Sequence, residues 1–349
     1  MKKLIAVITA SALALSLAAC SGTATSGSSG STAQTESSSQ ASGETSSADA
    51  EGTAYRIAIV QQMDHTSLDE IRTAIEAELD ARAAADGITI EYQEFNGQND
   101  ATMLNQIGTQ VVSDGYDAII PIASLAAQCM VTAADGDIPV IYAAISDPAA
   151  AGLTDLPNVT GTSDALDTDF IMDMMFAIDQ DIQTVGLLYS NSEPNSETPI
   201  AQAKAYLEGK GIDYVEATGN TTDEVLTAVS TLTDRVDAVF TPTDNVIMGA
   251  AGAVAEQLTD AGIPFYAGAD SFVKAGAFAT CGVSYTDLGS YTADMAVDAL
   301  ESGSVPADYH VMEGGIITVN TETAAKLGLV YNAFTNMADQ VVEVTTAAE

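Results

Sequence analysis

VDAVFTPTDN (residues 236–245) and YDAIIPIASL (residues 116–125) are the stretches whose reading decides the fold. Each has an aspartate in second place, runs through consecutive apolar residues, and reaches polar residues ahead of a helix-like stretch. A short, nearly unbroken apolar run is the signature of a strand covered on both faces, as in a parallel sheet. Aligning Asp117 with Asp237 brings Ser124 opposite Asp244 at the same strand end, a repeat spacing of 120 residues. The correspondence continues outward, where DIPVIYAAISD (residues 137–147) is answered by GIPFYAGADS (residues 262–271). In the first half, strands at 56–60, 89–95, 117–122 and 138–143 alternate with helical patterns at 67–84, 100–113 and from Ser124 onward. The second half repeats the course, with strands at 184–189, 213–217 and 236–240, helices between them, and a helix at 246–254. Leu104, Ile107 and Val111 fall at helical spacing and are expected in the core. Such alternation predicts an α/β fold of two Rossmann-like, doubly wound lobes joined by a hinge. Ligands of these sheets bind beyond the carboxyl ends of the strands, so the site is expected in the cleft between the lobes.

The turn after 236–240 carries Asp244 and Asn245 where a phosphate-binding turn would carry glycines. From position, Asp244 has two readings: a helix N-cap, or a carboxylate facing the cleft for a ligand's ammonium. Ser124 at the matching turn offers a hydroxyl and helix-start amides to a ligand carboxylate, or a simple cap, and Asn245 is likewise a donor or a cap. Other candidates at strand ends are Gln62 and Met63 after the first strand, Ser146 and Asp147 after the fourth, and Asp270 at the matching place in the second half. In SNSEPNSE (residues 190–197), Pro194 excludes a regular strand, so Glu193, Asn195 and Ser196 lie in a loop where a helix starts.

At 349 residues and 47% hydrophobic composition the chain can fill two cores. Its front end is different. Lys2 and Lys3, an apolar run over residues 4–17 and LAAC (residues 17–20) form a secretory signal ending in a lipobox pattern, with Cys20 as the lipidation site. Residues 21–52 are almost entirely small and polar and read as a disordered tether, with a reach on the order of 30 Å. The net charge of −39, from 49 acids against 10 bases, excludes nucleic acid as a partner. Cys129 and Cys281 are the two cysteines beyond Cys20; pairing and two free buried thiols both remain open. The two histidines, His65 and His310, do not have metal-ligand spacing, and no metal or other cofactor is expected.

VQQMDHTSLD, PIASLAAQ, AAISDPAAAGL, NVTGTSD, VGLLYSNSEPNS, PTDN and GAFATCGVSYTDLGSYTADMAV, in that order over residues 55–329 behind a lipobox and tether, resemble ABC-transporter substrate-binding lipoproteins of the tryptophan- or tyrosine-binding type. The resemblance implies the type I periplasmic-binding-protein fold, a hinge crossed about three times, and closure on a small solute. It also implies delivery of that solute, an aromatic amino acid, to an ABC permease with a cytoplasmic ATPase by a monomer anchored outside the cell membrane. By this likeness lobe one takes residues 53–163 and 286–309, lobe two takes 164–285 and 310–335, and 336–349 is a C-terminal tail. The helix over 287–300 is expected to return to lobe one and a strand near 315–319 to lobe two. The chain departs from the family at Gln61, Gln62 and Met63 and at Ala269, Asp270 and Ser271, and it lacks the tryptophan on which sugar binders often stack a pyranose. Two alternatives stand beside the non-enzymatic importer reading. One is a cofactor-independent racemase, which also has duplicated lobes and a cysteine in each; Cys129 falls within a helix rather than at a strand end. The other is a tethered ligand sensor.

Overall fold

In the computed structural model, which describes residues 53–347, helices and parallel strands alternate as the repeat requires. The signal, Cys20 and the whole of the tether lie outside those residues. The first half runs β1 (Ala54–Gln61), α1 (Thr66–Asp86), β2 (Thr89–Asn96), α2 (Ala101–Asp114), β3 (Ala118–Ile122), α3 (Ser124–Ala134), β4 (Val140–Tyr142) and β5 (Val159–Ser163). The second runs α4 (Thr168–Ile178), β6 (Thr184–Tyr189), α5 (Glu197–Lys210), β7 (Asp213–Thr218), α6 (Thr222–Leu232), β8 (Ala238–Thr241), α7 (Asn245–Met248), α8 (Ala251–Asp260), β9 (Phe265–Ala267), α9 (Asp270–Lys274) and β10 (Ala279–Gly282). The chain closes with α10 (Tyr285–Ser302), β11 (His310–Val311), β12 (Ile316–Asn320), α11 (Thr321–Leu327) and β13 (Gln340–Val344).

One sheet has the order β11-β5-β4-β3-β1-β2 and the other β13-β12-β10-β9-β8-β6-β7, so the first five strands of each half are arranged alike. Side chains on β1 show why both faces are covered. Ile57 and Ile59 point to the core shared with α1, while Ala58 and Val60 point to the core that holds Leu104, Ile107 and Val111 of α2. In the second sheet Val239 of β8 joins one core, and Ala238 and Phe240 the other.

Three connections join the sheets: residues 164–167 after β5, 283–284 after β10, and 312–315 after β11. The second carries α10 back onto α1. Gly289 makes that contact possible, since a Cβ there would lie 2.5 Å from the Ile71 carbonyl oxygen. Arg82 of α1 ties the pair together through Asp294 and Asp298 of α10, each at 2.8 Å.

Two expected boundaries are corrected. His310–Val311 pairs in parallel with β5 and so belongs to the first sheet, not to lobe two. The stretch 336–349 is no free tail through Val344: β13 pairs in parallel with β12. Val341 and Val344 pack against the two cores, and the strand covers the edge of β12. The helix expected over 246–254 is also divided, into α7 and α8, at Gly249 and Ala250.

Candidate functional site

The ends of β3, β4 and β8 face one another across the cleft and line a narrow cavity with about 20 Å³ of free space, room for about one water molecule while the lobes are together. Two non-glycine residues on its wall, Ala123 and Ala144, have positive φ, 76° and 57°. That conformation is costly for an alanine and is held in place by its surroundings, as is common at binding sites. It turns the chain so that Ser124 starts α3 at the cavity wall.

Among the expected residues, Ser124, Ser146, Asn195, Asp244 and Asn245 line the cavity, and Gln62, Met63, Asp147, Glu193, Ser196 and Asp270 do not. Most of the second group instead fasten the lobes or the walls. Gln62, fully buried, donates from Nε2 to Glu193 Oε1 at 3.0 Å and accepts from the Leu125 amide at 3.0 Å. Glu193 Oε2 in turn accepts from Asn245 Nδ2 at 2.6 Å, and Asn245 Oδ1 meets His65 Nε2 at 3.0 Å. The chain Gln62–Glu193–Asn245–His65 therefore leaves the first lobe, crosses into the second and returns. Asp147 accepts from Thr198 Oγ1 at 2.8 Å, also between lobes, and caps its own turn at Ala150. Met63 reaches toward Gly249 between α7 and α8. Asp270 pairs with Lys274 at 2.7 Å.

Asp244 performs the capping role in full. Its Oδ1 accepts from the Ile247 amide at 3.0 Å, and its Oδ2 accepts from the Ser190 amide and the Ser196 hydroxyl, both at 2.7 Å. Burial raises its pKa, but these donors favour the carboxylate. Glu193 is different: burial, and then the charge of Asp244, push its carboxyl up to about 8.

Several cavity residues carried no functional expectation: His65, Ser67, Asp164, Thr243, Phe272 and Tyr285. His65 follows β1 and is kept neutral by burial, and its Nδ1 is sealed without a partner. Ser67 Oγ meets Ser271 Oγ at 2.6 Å and Ser146 Oγ meets Thr243 Oγ1 at 3.0 Å, two further contacts between lobes. Asp164, on the first connection between the sheets, accepts from Ser146 Oγ at 2.9 Å and from the Tyr285 hydroxyl at 3.2 Å. It is buried, and burial raises its pKa. A signal for it existed in NVTGTSD. Reading VTGTS as a strand would have placed Asp164 at the strand-end row with Ser124 and Asp244, but its small residues lack the usual apolar weight.

Cys129 and Cys281 are free thiols buried in separate cores, neither on the wall of this cavity. Burial raises both pKa values, that of Cys281 to about 11, which is opposite to the activation a catalytic thiol needs.

A family model described as ABC transporter substrate binding protein matches residues 56–342. The chain belongs to the ABC transporter substrate-binding protein family. A substrate-binding protein of this kind is a solute binder. Its relatives include a tyrosine-binding protein of Clostridioides difficile, 32% identical over 269 residues that span 76% of this chain and 77% of the relative. Among solved structures, one from Streptococcus pneumoniae in complex with L-Trp shares 31% identity and a TM-score of 0.76, covering 83% of this chain and all of that one. A ligand-free, open structure of a Clostridium difficile substrate-binding protein with adhesive properties also shares 31% identity, over 84% of this chain and all of that one, but with a TM-score of 0.64. At equal identity the open structure is the poorer match, in keeping with the side-chain contacts that draw the lobes of this substrate-binding protein together.

Proposed function

We propose that the chain is the extracytoplasmic, non-enzymatic binding component of an ABC importer, taking up an aromatic amino acid between its lobes and handing it to the permease. In this reading it is a monomer held to the membrane by lipid on Cys20 and a tether. The observation that carries the proposal is the composition of the cavity wall: two buried carboxylates, Asp164 and Asp244, several hydroxyls, apolar faces from Leu68, Met248 and Phe272, and neither lysine nor arginine. A zwitterion with an apolar side chain suits that wall. Its ammonium meets negative charge, its carboxylate meets the Ser124 hydroxyl and the start of α3, and its side chain packs on the apolar face. A phosphate would face two carboxylates with no cation. The names of the tyrosine-binding relative and the L-Trp complex support the aromatic choice.

Contacts such as Gln62–Glu193 and Ser146–Thr243 exist only when the lobes meet, so a ligand touching both walls shifts an open–closed equilibrium toward this form. A thermal-shift screen of residues 53–349 against amino acids, nucleosides and sugars tests the proposal, because a ligand that binds only the folded protein raises its melting temperature. L-Tyrosine or L-tryptophan is expected to give the largest rise. A response to sugars alone, or turnover of an amino-acid enantiomer, would refute it.

A further inference from the structure

Resting on the amino-acid reading above, we infer that Asp164, and not Asp244, is the counter-charge for the ligand's ammonium, with Asn195 Oδ1 as a second acceptor. Both carboxylates are on the wall of one cavity, and their surroundings separate their tasks. Asp244 has three donors, two of them backbone amides, and is fully occupied in starting α7 and anchoring Ser190. Asp164 receives two hydroxyl donors, from Ser146 and Tyr285, and has no ion pair among the described residues. A buried carboxylate with only hydroxyl partners is poorly compensated, and an ammonium is the group that compensates it.

Asn195 supplies the independent observation. Its Nδ2 donates to the Thr243 carbonyl oxygen at 2.6 Å, which fixes the amide so that Oδ1 is an acceptor. That oxygen is buried without a partner, although the residue lines the cavity. An orphaned buried acceptor costs free energy until a donor arrives. An ammonium brings three N–H donors and can serve Asp164 and Asn195 together. The two residues belong to different parts of the machine: Asp164 is on the first connection between the sheets, hydrogen-bonded to Tyr285 just past the second, while Asn195 follows β6 of the second lobe. A cation shared between them favours the closed arrangement.

The test measures the affinity of residues 53–349 for L-tyrosine and L-tryptophan and for their des-amino analogues, in which hydrogen replaces the ammonium, by calorimetry. Wild type is expected to prefer the amino acids by about 30-fold or more, the span of a lost buried charge partner. Asp164→Asn, close in shape, is expected to bring that preference down toward unity. Asp244→Asn is expected to lower the melting temperature and to retain more of that preference than Asp164→Asn does. Should the Asp164→Asn chain fail to fold, Asp164→Ser, which retains an acceptor for Ser146, serves in its place. A preference that survives at position 164 and vanishes in Asp244→Asn overturns the assignment while leaving the amino-acid reading intact. A wild type that binds none of these amino acids overturns both.

Discussion

Replacing Glu193 by glutamine should flatten the pH dependence of stability. Glu193 is 2% exposed, touches Gln62 from the first lobe and Asn245 from its own, and sits beside Asp244; His65 lies one hydrogen bond further on. Its carboxyl is pushed up from 4.5 to about 8. In the unfolded chain it releases its proton near the lower value, and in the folded chain it keeps it. The folded state therefore binds more protons across that window, so stability is greatest below the unfolded value, falls as pH rises toward about 8, and levels off above. Fully expressed, the loss is on the order of 4 to 5 kcal/mol. Glutamine has no proton to lose; its Oε1 still accepts from one of the two donor amides, Gln62 Nε2 or Asn245 Nδ2, and the mismatch of its NH2 with the other is a cost that does not change with pH. Urea unfolding of residues 53–349 and of Glu193→Gln at about pH 5 and about pH 9 isolates the effect, since general acidic repulsion is nearly common to both chains. The variant should gain on wild type by about 3 kcal/mol or more between the two conditions. If the two chains lose stability in parallel, Glu193 is ionised in the fold and the reasoning fails.

Asp244→Ala removes the cap of α7 and leaves the Ser190 amide and Ser196 hydroxyl without their acceptor, at a cost of about 2 to 4 kcal/mol, read as a fall in urea midpoint. An unchanged midpoint with lost ligand affinity would argue against the capping role. Gly289→Ala would push a methyl group to 2.7 Å from Ala74 Cβ as well as against the Ile71 carbonyl, and should lower stability by about 1 to 2 kcal/mol despite alanine's better helix propensity. A neutral or stabilising result in thermal unfolding would mean that α10 moves away from α1 without penalty.

The strand-end row shows how far local reading carries. Ser124 and Asp244 were legible as a pair because each follows an apolar run, and runs 120 residues apart share one register. Both indeed line the cavity, though Asp244 spends its oxygens on its own helix. Gln62 and Glu193 were legible as polar residues at the mouths of the lobes, but not as partners: they stand 131 residues apart, and nothing near either one encodes the other. Asp164 went unread because its strand is built of small residues. The C-terminal strand went unread because five half-buried residues are fixed as a strand only by pairing with β12, which nothing near them in the chain encodes.

By itself the sequence determined the alternation of buried strands and amphipathic helices, their duplication, and hence two doubly wound lobes with a cleft at the strand ends. These follow from periodicity and turn chemistry, which act over a few residues. Only the tertiary structure decided which acids are saturated, which acceptors stay orphaned and which side chains meet across the cleft. Those outcomes depend on burial and on the approach of residues distant in the chain, where a shift of about 1 Å makes or breaks a hydrogen bond.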